Sequence, residues 1–377
     1  MLDLSLPTGL RDLLPDHSAH LAELSARLQE VFAAHGYRRL FLPTLERLEV
    51  VERGLSPAAL ADVMKFVEPG SGEVVAIRPD ITPQIARLYA ARPDALPSPA
   101  RLCYDGPVLR AREARAGRPR EVYQAGVELL GVGGARYDAE ALVVLSQALA
   151  KVGLGDAVIE VGHARFAAAA IEAVGLPRKA LAEAWDALAR KDEGVLTGLA
   201  ARGRGAAAAR QALPRLAGLY GDGALKRARS FARDVPGCGP ALAEVEAALR
   251  LARRRGLGEV AVDLGEARGL GYYTGLTFAG YAPGAGAAVA AGGRYDELLG
   301  RFGRPGPAVS PAFSNTCRCS VSPCSGWSWQ GILRWSLSSG NWSESAPTSS
   351  SVSTSSAKVL RPRPTKPSSS IASATSA

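Results

Sequence analysis

Histidine and cysteine are scarce: the chain holds four His and five Cys in 377 residues. So few His leave no Ser–His–Asp or Cys–His constellation for nucleophilic catalysis. No apolar run approaches the ~18 residues that a bilayer span needs. The opening "MLDLSLPTGLRDLLPDH" lacks the basic and apolar regions of a signal peptide. The expected location is the cytoplasm, which suits the presence of only Cys103 and Cys238 within residues 1–309. Neither a Walker loop nor a dinucleotide fingerprint is found, since the glycines of "GVGGAR" (131–136) are wrongly spaced. No cofactor is expected.

The net charge of +9 suggests nucleic acid only until it is divided along the chain. From Ser310 onward six basic residues face one acidic, so residues 1–309 carry only +4. An electrostatic footprint for nucleic acid is weak. Serine divides in the same way, with 22 in the last 68 residues against 8 before them. Four of the five Trp and three of the five Cys also fall in that tail. Its "CRCSVSPC" offers cysteines, but no His follows to complete a zinc set, and no metal is expected.

Residues 1–309 read as α+β. Leu21, Leu24, Leu28, Val31 and Phe32 recur at helical spacing over 16–35, and Gly36 suits a C-cap. "YRRLFLP" (37–43) and "EVVAIRPD" (73–80) read as strands. "TPQIARLYAA" reads as a helix with Thr82 as N-cap and Pro83 at its first position. "ARLCYDGPVLRAR" and "REVYQAGVELLGV" form two strands joined by a basic loop. A helix follows over 138–152, then a strand at 157–163. Residues 164–256 carry no strand signal and read as a helical insertion of four to six helices. Strands resume at "EVAVDLG" (259–265), "GYYTGLTFAGY" (271–281) and "GAAVAAGG" (286–293). Short turns between strands, with helices at both ends, predict a mostly antiparallel sheet flanked by helices. The expected divisions are a core in two parts (1–163 and 257–309), the insertion (164–256) and a low-complexity tail (310–377).

Four clusters could carry chemistry. In "RPDITPQIAR" (78–87), Asp80 and Thr82 stand at a strand-to-helix junction between two arginines. The acid can hold an ammonium group, or the cluster is only a cap with an ion pair. In "GPVLRAREARAGRPREVYQAGVELLG" (106–131), Gln124 and Glu128 share one strand face. A mid-strand carboxylate among apolar neighbours is costly unless it binds something. The loop before it carries Arg110 and four more arginines, whose forks suit phosphate and carboxylate or simply face water. In "EARGLGYYTGLTFAGY" (266–281), Arg268 precedes Tyr272 and Tyr273, which are expected on opposite faces of a strand. In "AAGGRYDELL" (290–299), two glycines allow close backbone approach, and Arg294 and Asp296 can pair. His163 is read as structural. Together the clusters suggest a receptor for a zwitterion with a polar side chain.

In this order the clusters resemble the histidyl-tRNA synthetase catalytic core, a class II aminoacyl-tRNA synthetase fold with a helical insertion. "PTGLRDLLP" is similar to that family's opening signature, and "GYRRLFLPTLE" to motif 1, which implies a dimer interface. "RPDITPQIAR", the arginine-rich hairpin, "ARGLGYYTGLTF" and "GGRYDELL" resemble its amino-acid segment, motif 2 and histidine motifs. Asp80 where the synthetases have Glu, the Arg112–Glu113–Ala114 order, and Gly271 where an acid is usual depart from the synthetases. With no anticodon domain legible after 309, the wording is more similar to the regulatory subunits of ATP phosphoribosyltransferase. That resemblance implies a non-catalytic subunit with no cofactor of its own. The implied partner is a short-form catalytic subunit, L-histidine is the effector, and tRNA and membranes are not partners. The alternative is a truncated histidyl-tRNA synthetase. The resemblance implies that Asp80, Thr82 and Gln124 hold the α-amino group. It also implies that Glu128 and Tyr273, beside Tyr272, approach the imidazole, and that Arg110 and Arg268 face the carboxylate or an α-phosphate.

At Ser310 the wording stops matching while Ser, Trp and Cys rise together. A change of reading frame near residue 309 is the simplest explanation, and a genuine tail is the alternative.

Overall fold

The computed structural model describes residues 3–112, 119–266, 272–285 and 287–314. Helix α1 (Pro15–Ala34) buries Leu28, Val31 and Phe32, three members of the predicted apolar stripe. Strand β1 is only Arg38–Arg39, shorter than the expected 37–43. Next come β2 (Leu45–Arg47), α2 (Leu48–Gly54), α3 (Pro57–Leu60), β3 (Lys65–Val67) and β4 (Val74–Ile77). These three strands form a small separate sheet in the order β2-β4-β3. Helix α4 (Thr82–Ala91) then leads to the long hairpin β5 (Ala100–Leu109) and β6 (Glu121–Leu130).

Helix α5 (Ala135–Lys151) and β7 (Val158–His163) complete the first half. Six helices follow: α6 (Ala164–Val174), α7 (Arg178–Ala189), α8 (Glu193–Arg202), α9 (Ala207–Leu216), α10 (Ala224–Asp234) and α11 (Gly239–Arg253). Their buried residues run into one apolar cluster with those of α1 and α5. The helical stretch is thus packed on the sheet's helical layer and shares its core. The chain ends its described course with β8 (Ala261–Val262), β9 (Leu276–Tyr281), β10 (Ala290–Arg294) and β11 (Ala308–Ser314).

The main sheet has eight strands in the order β1-β5-β6-β11-β10-β9-β7-β8. Only the β1–β5 and β7–β8 pairs are parallel. The architecture is the mostly antiparallel, helix-flanked sheet of a class II aminoacyl-tRNA synthetase core. Side chains alternate across it. Ala125, Val127 and Leu129 of β6 join the helical cluster. Val122 and Leu130 point the other way, with Leu102 and Tyr104 of β5, Ile81 at the cap of α4 and Ile85 within it. The candidate site lies on that second face.

Two expectations need correction. The strand β11 runs through the seam expected at 309 and inserts between β6 and β10. Five positions assigned to the tail, 310–314, therefore stand in the middle of the sheet. Tyr272 and Tyr273 precede β9 rather than forming part of it. Strand alternation does not apply to them, and both rings pack in the second cluster. The "CRCSVSPC" cysteines lie outside the described residues.

Candidate functional site

The site is built on the even-numbered positions of β6. Gln124, Gly126 and Glu128 share its second face, as their spacing predicts. The Glu128 side chain is fully buried. Thr82 donates its hydroxyl to Glu128 Oε1 at 2.8 Å, and Tyr295 donates its own to Oε2. Thr82 is therefore not the N-cap. Ile81 holds the cap position, and Thr82, the first helical residue, spends its hydroxyl on the sheet.

Asp80 forms the second acidic point. Its Oδ1 accepts from the Ile81 N–H at 2.9 Å and from Gln124 Nε2 at 3.2 Å. Tyr272 donates its hydroxyl to Oδ2 at 3.4 Å. Burial pushes the Asp80 carboxyl up, against the hydrogen bonds from Gln124 and Ile81 and the charge of Arg110. Burial likewise pushes Glu128 up to about 8, against its hydroxyl donors and with a further push from Asp80. A buried acid, Glu128, and a half-buried one, Asp80, thus lie on one face of the sheet, and each accepts hydrogen bonds from uncharged donors. The Gln124 Oε1 acceptor is buried and has no partner among the described residues.

Aromatic rings pack beside these acids. Tyr272 lies 4.9 Å from Tyr273 and 5.8 Å from Tyr295, both edge to face. Glycines make the approach possible. A Cβ on Gly293 would sit 3.0 Å from the Tyr273 ring, and one on Gly126 would sit 2.6 Å from the Tyr104 hydroxyl.

The remaining predicted residues divide by role. Arg110 is exposed at the end of β5, where its N–H bonds the Arg120 carbonyl at 3.0 Å. Arg268, Arg115 and Arg118 lie outside the described residues. The two arginines flanking Asp80 are structural. Arg78 ties the Pro107 and Leu42 carbonyls together, at 2.8 and 2.9 Å, and Arg87 pairs with Glu46 at 2.8 Å. Arg294 does bond Asp296, at 3.4 Å, but its closer partner is Asp138. His163 caps α6 and bonds Glu244, a structural role.

The sequence reading missed Tyr104, Tyr295 and Ser310. Tyr104 was legible in principle, because alternation on β5 puts it opposite Gly126. Tyr295 and Glu128 stand 167 residues apart, so only the fold unites them.

This sheet, insertion and acid–tyrosine pocket define a synthetase-type core. The family model described as histidyl-tRNA synthetase matches residues 9–314. An ATP phosphoribosyltransferase regulatory subunit from Anaeromyxobacter sp. (strain Fw109-5) is 83% identical over 309 residues, covering 82% of this chain and 90% of the relative. One from Syntrophotalea carbinolica is 39% identical over 314 residues, covering 82% of this chain and 72% of the relative. The chain belongs to the histidyl-tRNA synthetase-like family of ATP phosphoribosyltransferase regulatory subunits. A solved ATP phosphoribosyltransferase regulatory subunit/histidyl-tRNA synthetase from Bacillus halodurans superposes with a TM-score of 0.74 at 29% identity, covering 82% of this chain and 80% of that one. The histidyl-tRNA synthetase of Nostoc sp. PCC 7120 shares the fold, with a TM-score of 0.68 at 21% identity, covering 83% of this chain and 74% of that one.

Proposed function

We propose that the chain senses L-histidine and acts with a short-form ATP phosphoribosyltransferase catalytic subunit in the first step of histidine biosynthesis. The observation that carries this reading is the pair of acids, buried Glu128 and half-buried Asp80, answered by neutral donors and flanked by tyrosine rings. Such a pocket favours a small ligand with positive, hydrogen-donating groups at two points. Histidine has an ammonium group for Asp80 and Gln124, and an imidazole N–H for Glu128 beside Tyr273. Arg110, whose charge reaches Asp80, faces the ligand carboxylate; Arg268, the second arginine of this proposal, lies outside the described residues. Ligand binding then shifts the subunit toward whichever state holds it better, and the partner reads that shift.

Self-association through the motif 1 segment, residues 36–46, belongs to the same proposal. Phe41 there is 77% exposed and lies 4.8 Å from the Arg39 guanidinium. An exposed aromatic beside a cation suits an interface anchor. The place of action is the cytoplasm. Among the described residues no helix is long and apolar enough to cross a membrane.

The test is reconstitution. The full chain is mixed with a short-form catalytic subunit, and phosphoribosyl-ATP formation is followed with and without histidine. Stimulation by the chain, reversed by histidine, is expected. Absence of both stimulation and inhibition would overturn the reading. Histidine-dependent exchange of pyrophosphate into ATP would replace it with synthetase activity.

A further inference from the structure

We infer that Ser310 is a positioning residue of this pocket, one that acts through Glu128 by donating its hydroxyl to the carboxylate. The inference rests on the histidine-binding reading above. The register places it there. Val309 pairs with Leu129 and Ala312 with Gly126, so position 310 stands opposite Glu128. Directly opposed residues on antiparallel neighbours project from the same face. On its other side Ser310 pairs with Gly293, which has no side chain to exclude it. Ser310 is 4% exposed, so its hydroxyl is enclosed on the face that carries Glu128, where donation to the carboxylate favours the ionised form.

With Ser310 donating, Glu128 is held by three hydroxyls from three places in the fold: Thr82 on α4, Tyr295 after β10 and Ser310 on β11. An ionised carboxylate has about four acceptor positions. Three donors leave one for a ligand N–H. The groups opposing ionisation are the burial itself and the charge of Asp80. The buried phenols of Tyr104 and Tyr295 also feel the Glu128 charge. Against that background one hydroxyl matters, because a hydrogen bond to a charged group is among the stronger kinds.

The experiment measures Glu128 ionisation and ligand binding separately in the full chain. Infrared difference spectra between pH 6 and 9.5, wild type against E128Q, isolate the Glu128 carboxyl band and its midpoint without any ligand. S310A is expected to raise that midpoint by about one pH unit, and S310T to leave it near the wild-type value. Calorimetric titration with L-histidine should show S310A binding about tenfold more weakly below the midpoint. The ligand's own ionisation is common to all variants and cancels. In an E128Q background S310A should be silent, which a general packing defect would not be. An unmoved carboxyl midpoint in S310A, or an equal loss in the E128Q background, would overturn the inference. A wild-type chain that titrates as expected but binds no histidine would overturn the histidine reading and leave the role of Ser310 toward Glu128 standing.

Discussion

The Arg294 guanidinium at the end of β10 bonds the Asp138 carboxylate on α5 at 2.5 Å, and both side chains are buried. The arginine also holds the segment that carries Tyr272 and Tyr273. Its carbonyl accepts from the Thr274 N–H at 2.8 Å, and its side chain crosses Gly275, where a Cβ would stand 2.5 Å from Arg294 Cδ. Removing one partner of a buried pair leaves the other uncompensated, at about 3–5 kcal/mol. R294M should lower the unfolding free energy by about that much in urea titration. R294M/D138L should recover most of it. A loss for R294M below ~1 kcal/mol would show that the pair does not secure the segment.

Stability should fall as pH rises through the neutral range. Burial pushes Glu128 from 4.5 up to about 8 and Asp138 from 3.8 up to about 6. Each raised acid holds its proton in the folded chain after losing it in the unfolded one. The folded state therefore binds more protons between the two values, and stability declines with pH across that window. For Glu128 the decline spans about pH 4.5 to 8, and for Asp138 about pH 4 to 6. The Asp105 carboxyl acts oppositely. Burial opposes its ionisation, but hydrogen bonds from Ser25, Tyr123 and Arg39 hold it below the usual range. Its contribution is lost at acid pH. Thermal melts should thus show the highest midpoint in mildly acid buffer, with E128Q flattening the slope above pH 6. A slope unchanged in E128Q would exclude Glu128 as its source.

Asp80 separates binding from folding. D80N keeps a side chain that can meet Gln124 and Tyr272 while removing a half-buried charge. The fold should hold, and histidine affinity should fall about 10- to 100-fold, the value of a charge-assisted bond. Calorimetry on D80N measures the loss, and circular dichroism checks the fold. Unchanged affinity would move the ammonium site elsewhere.

How much was legible depended on the range of the signal. The β5–β6 hairpin, α1 and α4 follow from local periodicity and the Thr82–Pro83 start. Glu128 drew attention because a carboxylate between Val127 and Leu129 demands a partner. Asp80 and Gln124 were each singled out, and the structure joins them at 3.2 Å. Failures came where tertiary contacts override local rules. Thr82 looked like a cap, but Glu128 claims its hydroxyl. Tyr272 and Tyr273 looked like strand residues, but the chain turns before β9 begins at Leu276. Ser310 looked like the first residue of a foreign tail, yet β11 carries it to the pocket.

Glycine 126 tests the shape of the pocket. A Cβ there would stand 2.6 and 2.8 Å from Tyr104 Oη and Cζ, and 3.0 Å from the Pro311 carbonyl. The Tyr104 ring is fully buried, so it has little room to yield. G126A should cost about 1–3 kcal/mol by overpacking. It should also weaken histidine binding, because Tyr104 is driven toward Thr82 and Glu128. Denaturant melts and calorimetry read the two effects. A neutral G126A would show that the wall can relax.

Pro311 offers the sharpest test of the seam. It is buried in β11, with β6 on one side and β10 on the other. Recorded pairs step from Val309↔Leu129 to Ala312↔Gly126, leaving the proline between them. The Gly131 N–H donates to the Pro307 carbonyl at 2.9 Å, which fixes which positions of β11 address β6. Counting by two, position 311 should donate to the Val127 carbonyl, and proline has no N–H to give. Proline is otherwise confined to strand edges and bulges, so its presence at the centre of a sheet is a local conflict. Resequencing the stretch after 309 tests the frame directly. The physical test is P311V. Valine suits a strand, restores the missing donor and faces the same core as Val309 and Phe313. Satisfying the buried carbonyl should raise the unfolding free energy by about 1–3 kcal/mol. Hydrogen exchange at neighbouring β6 amides should slow in step. If P311V gains nothing, the Val127 carbonyl has another donor, and the proline is accommodated.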